Sequence, residues 1–389
     1  MKWERKTINE LCEIKGGKRL PKNHELIEVE TNHPYIRARD IGNGIIDFSK
    51  PVYLQENTFN FISRYTVKAD DIVLTIVGAN IGDVGLIPKH LDGANLTENA
   101  VKLTSFNENC HFKYLLYYFL LPGKKKQLEQ VAAGSAQGKL GLYKIKDIEV
   151  PIPPLPTQRK IASILSAYDD LIENNLKRIK LLEEKAQLHY IQYKPIEKIA
   201  LQDIADYLGR GVTPKYEEGS GFYAINQKAN KGSLLEYSQF KSLDSKLEVP
   251  DDKFAKWGDL LINSLGEGTL GRVHFYTDKS DLYAVDQHMS IFRTQKQHYT
   301  FYLYQFLSSN YGQGLLDSLK KGGTNMTMLN ISDLRQLIVS FPSEKELIEL
   351  WNVCKPLFQL KQTLITQNTK LREARDIILP KLMNGQIEV

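Results

Sequence analysis

The chain is poor in the residues that build metal sites and covalent staples. Its three cysteines, Cys12, Cys110 and Cys354, are far apart and odd in number. No disulfide framework is therefore indicated, and with no Cys-x-x-Cys or Cys/His cluster no zinc site is expected either. The eight histidines fall in no metal-ligand spacing. No apolar run approaches the roughly 18 residues that span a bilayer; the longest, from Tyr114 to Leu121, is stopped by Pro122-Gly123. The opening Met1-Lys-Trp-Glu-Arg-Lys6 has no apolar centre and does not read as a signal peptide. A Gly-x-x-x-x-Gly-Lys-Ser/Thr loop is missing, so ATP is not expected on this chain. Together these absences predict a cytoplasmic protein with no membrane contact and no bound metal.

What is present is ordinary globular chemistry, with 42% hydrophobic and 25% charged residues. At 389 residues the chain has room for two or three domains. A net charge of +5 and a pI near 8.7 are compatible with a polyanionic partner without requiring one.

The strongest positive signal is a repeat. The segment opening at Pro156 and the segment opening at Pro342 align without a gap at an offset of 186, pairing Ile161 with Leu347, Leu165 with Trp351, Ile172 with Phe358 and Ile179 with Ile365. Each follows a long stretch that reads as strands and turns. A period this long indicates a duplicated two-part unit rather than a solenoid.

In the first copy Ile161, Leu165, Tyr168, Ile172, Asn175, Ile179, Leu182, Ala186 and His189 alternate at spacings of four and three, a coiled-coil seam. Thr157 is the expected N-cap. The polar Asn175 within the seam predicts a fixed register against one partner helix. In the second copy Leu350, Val353, Leu357, Leu360, Leu364, Gln367, Leu371, Ala374 and Ile378 give a similar seam, with Ser343 and Glu346 forming a capping box. Pro356 should kink or split this helix. The predicted helix-pairing residues are Ile161, Leu165, Tyr168, Ile172, Asn175, Ile179 and Leu182 on one rod and Leu350, Leu357, Leu364 and Leu371 on the other.

The stretches before the rods also correspond. Asp71 and Gly78 match Asp259 and Gly266, each pair bounding a short apolar run that reads as a buried strand. Glu98 aligns with Asp286 and Tyr114 with Tyr302 at the same offset of 188. Lys15-Gly-Gly-Lys-Arg-Leu-Pro-Lys22 corresponds to Leu208-Gly-Arg-Gly-Val-Thr-Pro-Lys215, and Gly134-Ser-Ala-Gln137 to Gly323-Thr-Asn-Met326.

At this point the residues carry a resemblance. Pro153-Pro-Leu-Pro-Thr-Gln158 followed by Ile161, Asp169-Asp170 and Ile172 resembles the central conserved helix of specificity subunits of type I restriction–modification systems. Ile378-Leu-Pro-Lys-Leu-Met-Asn-Gly385 resembles the tail of their second conserved helix. Gly134 through Asp147 and Gly323 through Asp333 resemble the close of their target-recognition domains. The resemblance implies an α+β fold: two mixed α/β target-recognition domains separated by two long antiparallel coiled-coil helices, with internal pseudo-two-fold duplication. The expected boundaries are 1–155 for the first recognition domain, 156–194 for the central helix, 195–341 for the second recognition domain and 342–389 for the C-terminal helix. It further implies a non-catalytic subunit whose domains each read one half of a bipartite double-stranded DNA site. Two adenine-N6 methyltransferase subunits would dock on the helices and restriction subunits would join them. S-adenosylmethionine, ATP and magnesium would sit on those partners only. A rod of roughly 55 Å would set the spacer between half-sites. An alternative is a coiled-coil assembly scaffold that binds no DNA; a third is a self-sufficient methyltransferase or nuclease, against which the missing cofactor loop and the missing Asp/Asn-Pro-Pro-Tyr/Phe run argue.

Base reading needs donors and acceptors at groove edges, and phosphates need cations. Candidates in Gly-broken loops of the first domain are Lys15, Lys18, Arg19, Lys22, Arg37, Arg39, Ser135, Gln137 and Lys139. In the second they are Arg210, Thr213, Lys215, Asn226, Gln227, Lys228, Thr324, Asn325 and Thr327. Tyr35 and Tyr223 are candidate contacts to a thymine methyl. Lys124-Lys-Lys126 and Lys320-Lys321 read as matched phosphate-binding runs. For each, the competing reading is a solvated surface residue. Gly266-Glu-Gly268-Thr-Leu-Gly271 spells a dinucleotide fingerprint, but the strand-like Arg272-Val-His-Phe-Tyr276 that follows predicts a tight strand–strand turn instead.

Overall fold

The computed structural model describes residues 3–134, 138–266, 268–278, 282–322 and 327–389. Two compact units emerge, one formed by Met1–Glu173 with Thr369–Val389, the other by Asn174–Asn368.

In the first unit, Ile72–Thr75 is a run rich in β-branched residues and buried along its whole length, the composition of a central strand. It lies between Ala100–Thr104 and Val84–Leu86, and Glu13–Gly16 adds the outer edge; every neighbouring pair is antiparallel. A short parallel pairing joins Tyr35–Ile36 to Asn95–Leu96. The second unit repeats this plan. Leu260–Asn263 lies between Met289–Arg293 and Val273–Phe275, with Tyr207–Arg210 on the edge and Tyr223–Ile225 parallel to Tyr283–Val285. In each unit the first and last strands pair antiparallel: Glu4–Thr7 with Glu149–Ile152, and Glu197–Ala200 with Ile338–Phe341.

The Gly266–Gly271 turn joins Leu260–Asn263 to the antiparallel Val273–Phe275, so it is a hairpin and no helix opens at its glycines. Gly78 and Gly266 both take positive φ, 96° and 104°. Asp71 and Asp259 both accept a hydrogen bond from the backbone N–H three residues earlier, at 2.8 and 2.7 Å. The helices Phe112–Phe119 and Gln297–Ser308 bury the matched Tyr114 and Tyr302.

Each last strand leads directly into a long helix, Leu155–Tyr190 or Glu344–Met383. The first starts at Leu155, so Thr157 is inside its first turn and does not cap it. Pro156 is tolerated there because that turn's N–H groups have no intrahelical acceptor. The tie to the domain is the buried Gln158: its Nε2 donates to the carbonyls of Asn109 and Pro153, both at 2.8 Å, and its Oε1 accepts from the His111 N–H. Ser343 and Glu346 form the expected capping box, with Ser343 N–H and Oγ both donating to Glu346 Oε2. Pro356 and Pro380 both lie within the helical span Glu344–Met383.

The first seam is buried as expected at Ile161, Leu165, Ile172, Asn175, Ile179 and Ala186, with Tyr168 and Leu182 half-buried. The second seam is shifted by one residue. Leu347, Trp351, Cys354, Phe358, Lys361 and Asn368 are buried, whereas Val353 and Leu360 are 43% and 40% exposed. Leu350 and Leu364 are buried beside that seam and Leu357 and Leu371 are half-buried. Polar residues belong to the true seam because the other helix satisfies them. In the second unit Asn175 Nδ2 donates to Asn368 Oδ1 at 2.9 Å, and Lys361 Nζ lies 2.6 Å from Glu183 Oε1. As the residue number rises on one helix it falls on the other, so the pair is antiparallel there. In the first unit Asp169 binds Arg375 and accepts from the Tyr117 hydroxyl, both at 2.6 Å.

Candidate nucleic-acid interface

In both units one end of the four-stranded sheet gathers the loops that carry most of the polar candidates. In the first unit these are the residues following Gly16, those preceding Ala100, and the Ile76–Gly82 turn, against which Lys139 bridges at Val77. In the second they are the residues following Arg210, those preceding Met289, the Ser264–Gly271 turn, and Met328, which bridges to Leu265.

The backbone at this end is the same in both copies. Gly17 N–H donates to Ala100 O and Gly211 N–H to Met289 O, at 3.1 and 3.0 Å. Lys18 N–H reaches Leu96 O and Val212 N–H reaches Val285 O. A Cβ on Gly17 would lie 2.0 Å from Thr97 O, and one on Gly211 would lie 2.0 Å from Val285 O. Only glycine allows this approach. The register makes Thr97 equivalent to Asp286, Glu98 to Gln287 and Asn99 to His288: Thr97 N–H bonds Ile36 O and Asp286 N–H bonds Ile225 O, while Ile76 N–H bonds Asn99 O and Ser264 N–H bonds His288 O. The sequence alignment of Glu98 with Asp286 is therefore one residue out.

Side chains on this shared backbone differ. In the first unit Arg19 Nε donates to Glu98 Oε1 at 3.0 Å, and Thr97 Oγ1 donates to Glu98 Oε2 at 3.2 Å. Partial burial pushes the Glu98 carboxyl up, but the bonds from Arg19, its own backbone and Thr97 more than reverse this and hold it below the usual carboxylate range. In the second unit Thr213 Oγ1 donates to Gln287 Oε1 at 2.8 Å. Beside it the fully buried Asp286 accepts from the Tyr216 hydroxyl, the His288 N–H and His288 Nδ1. Burial, together with Asp286, pushes the Tyr216 phenol up.

The other candidates divide into exposed and internally spent groups. Lys18, Lys22, Arg39, Lys139, Lys215 and Lys228 are exposed, and Thr327 and Gln227 are half-buried. Lys18 Nζ sits 5.5 Å over the Tyr65 ring. Lys15 lies on the edge strand, paired with Glu13 at 2.5 Å. Arg37 is half-buried in a bidentate pair with Asp40 and also donates to Lys50 O, so it clamps its own turn. Arg210 turns inward, bonding Leu329 O, and burial pulls its guanidinium down. Asn226 is buried: its Nδ2 reaches Gln239 O at 2.6 Å and its Oδ1 accepts from the N–H groups of Lys228 and Ala229. These three hold loops in shape instead of offering donors outward. Tyr35 is buried as well, whereas Tyr223 is 39% exposed. Ser135, Gln137, Thr324 and Asn325 lie outside the described residues. The two lysine runs are not equivalent, since Lys124 opens a helix and Lys320–Lys321 is a short strand; Lys125 pairs with Asp83 and Lys321 with Asp333. Glu98, Gln287 and His288 were missing from the candidates because only strand register brings them beside Arg19 and Thr213.

Among the described residues no group of three or more His, Cys, Asp or Glu is arranged to hold a metal ion. The three cysteines are free and buried, and burial pushes each thiol up to about 12. Among the described residues no helix is long and apolar enough to cross a membrane.

This duplicated scaffold with variable loop ends has known counterparts. Residues 1–184 match the family model described as the type I restriction modification DNA specificity domain. Over its whole length the chain is 26% identical to the type I restriction enzyme MjaIX specificity subunit of Methanocaldococcus jannaschii, spanning 94% of that protein. It is 23% identical to the EcoR124I/EcoR124II specificity subunit of Escherichia coli across 50% of this chain and 47% of that one. The fold matches the crystal structure of the type I restriction-modification S subunit from M. genitalium with a TM-score of 0.57 and 16% identity, covering 98% of this chain and 96% of that one. Residues 1–184 thus match the DNA specificity domain of type I restriction–modification systems, and the whole chain is similar to specificity subunits of such systems.

Proposed function

We propose that this chain is the DNA-reading subunit of a type I restriction–modification complex, each of its two recognition domains reading one half of a bipartite, asymmetric double-stranded site. Residues 1–155 and 195–341 are the reading domains; the helical segments 156–194 and 342–389 set the spacer and dock two adenine-N6 methyltransferase subunits, with restriction subunits joining that complex. Specificity subunits of this family are non-catalytic, and S-adenosylmethionine, ATP and magnesium belong to the partners. The observation that carries the reading is the pair of sheet ends: equivalent backbone hydrogen bonds pin Gly17 and Gly211 in the same way, and the side chains presented there differ. A scaffold that holds DNA in the same way twice while reading different letters needs that combination, because phosphate contacts set position and base-edge contacts set sequence.

The test is methylation-site sequencing in a host that carries this chain and its methyltransferase partner. A split motif with unlike halves and a methylated adenine in each is the expected result. A continuous motif, or a palindromic one, would contradict it.

A further inference from the structure

The two recognition domains place one interacting side-chain pair at the same backbone position, and the pairs differ in hydrogen-bonding character. Arg19 and Thr213 both follow the pinned glycine by two residues, and Glu98 and Gln287 both precede the strand that pins it. The first pair is Arg19–Glu98 and the second Thr213–Gln287. Glu and Gln have the same shape, so the geometry is conserved while the chemistry is changed.

We infer that these two pairs are the specificity-determining positions of the two domains: Arg19, held by Glu98, reads a guanine, and Gln287, held by Thr213, reads an adenine. The inference rests on the DNA-reading function proposed above. Arg19 spends only its Nε on Glu98 Oε1, and its side chain is 82% exposed. That bond fixes the plane of the guanidinium and leaves its two terminal NH2 groups as a fork, the donor pair that matches O6 and N7 of guanine. Glu98 is itself fixed on its far side by Thr97 Oγ1. It acts as a positioning residue and does not meet the base.

In the second domain the Thr213 hydroxyl donates to Gln287 Oε1 and so fixes which way the amide faces. Nε2 keeps both protons, and Oε1 keeps one lone pair. One donor beside one acceptor is the pattern that meets N7 and the N6 amino group of adenine. Gln287 is carried between Asp286 and His288, which lock each other and the Tyr216 hydroxyl into one network. Its backbone is thereby held still while its amide stays available.

The experiment exchanges the pairs in the full chain, assembled with its methyltransferase partner. One protein carries Arg19→Thr with Glu98→Gln; the other carries Thr213→Arg with Gln287→Glu. Methylation-site sequencing reads both halves of the motif, so the untouched half reports in the same molecule that the subunit folds and assembles. The expected result is a change at one base position of one half-site, guanine to adenine in the first protein and adenine to guanine in the second, each by on the order of tenfold in preference. Glu98→Gln alone should relax the choice at that position without reversing it, and Thr213→Val should do the same in the other half. If an exchange abolishes methylation, selection from a randomised duplex pool by the purified complex gives the same readout. Unchanged preferences in both halves would overturn the assignment. So would a uniform loss of affinity on all sequences with a salt slope reduced by about one, which is the signature of a phosphate contact. If the unmodified protein shows no split motif, the DNA-reading function itself fails, a result separable from either of these.

Discussion

The two repeats agree where the backbone has no alternative and part company where it has. Gly17 and Gly211 sit against strand-end carbonyls that any Cβ would strike. Asp71 and Asp259 accept from equivalent backbone N–H groups, those of Lys68 and Lys256, yet the cation that answers the carboxylate comes from a different place: Lys102 at 3.7 Å in the first repeat, Arg293 in a bidentate pair in the second. The third sheet position contrasts more sharply. Val73 pairs with Gly85, where the backbone of Ile45 presses close, whereas the equivalent Leu261 pairs with His274, which is buried and bonds Gly232 O at 2.7 Å. Duplication preserved steric necessities and let each copy find its own answer to polar ones.

The helix pair offers the test with the largest expected effect. Lys361 is fully buried and also donates to Ser233 O, whereas Arg375 and Asp169 are both partly exposed. Burial pulls the Lys361 ammonium down against the opposing pull of Glu183. Glu183→Ala should therefore strand a buried charge and cost about 3–5 kcal/mol, while Asp169→Ala should cost about 1 kcal/mol; chemical denaturation of the two variants decides, and equal losses would erase the distinction between the repeats. Next in size is the glycine pair. Gly17→Ala and Gly211→Ala should each lose about 2 kcal/mol by forcing strand ends apart, and a thermal melt in which one is tolerated would show that the two sheet ends are not equivalent after all. The Asn175–Asn368 pair comes third. Asn175→Leu alone should cost about 1–2 kcal/mol by leaving the partner amide unsatisfied, and adding Asn368→Leu should recover most of it; a double-mutant cycle measures the coupling.

The smallest effect is a pH dependence, to which the buried His274 of the second repeat contributes. Burial, reinforced by the nearby Lys361 charge, pushes the His274 imidazole down to about 3, although its bond to Gly232 O opposes this. A base with a depressed folded value contributes its full stability above its unfolded value near 6.5 and loses it as pH falls toward 3. Between pH 7.5 and 5.5 the loss should be about 1 kcal/mol. His274→Gln should reduce the slope by that amount and leave the smaller contributions of His111 and His298, which burial also pushes down, as parallel denaturation curves at the two pH values would reveal.

Much of this was legible in the sequence, and the failures have a common cause. Local patterns worked: the capping box at Ser343, the turn at Gly266, the seam of the first helix and the register-setting Asn175 all depend on residues near one another in the chain. Counting leucines misplaced the second seam by one residue, because Lys361, Asn368 and Arg375 look like surface residues until Glu183, Asn175 and Asp169 are known to face them. The repeat itself held the correction, since its offset pairs Leu165 with Trp351 and Ile172 with Phe358, all buried. Matching acid to acid at Glu98 and Asp286 misled in the same way: chemical likeness suggested one alignment and hydrogen bonds along the backbone dictate another. Arg37, Arg210 and Asn226 have the composition of a reader and the partners of a brace, which no spacing discloses.

The pairing of Glu4–Thr7 with Glu149–Ile152, and of Glu197–Ala200 with Ile338–Phe341, brings the entry and exit of each proposed reading domain to one place. A segment whose two ends meet can be exchanged between genes by crossovers at just those two strands, leaving the helical frame and its partners undisturbed. On the proposed function the fold would make the half-site a heritable cassette: a lineage could acquire a new target by importing one domain and keep the machinery that acts on it.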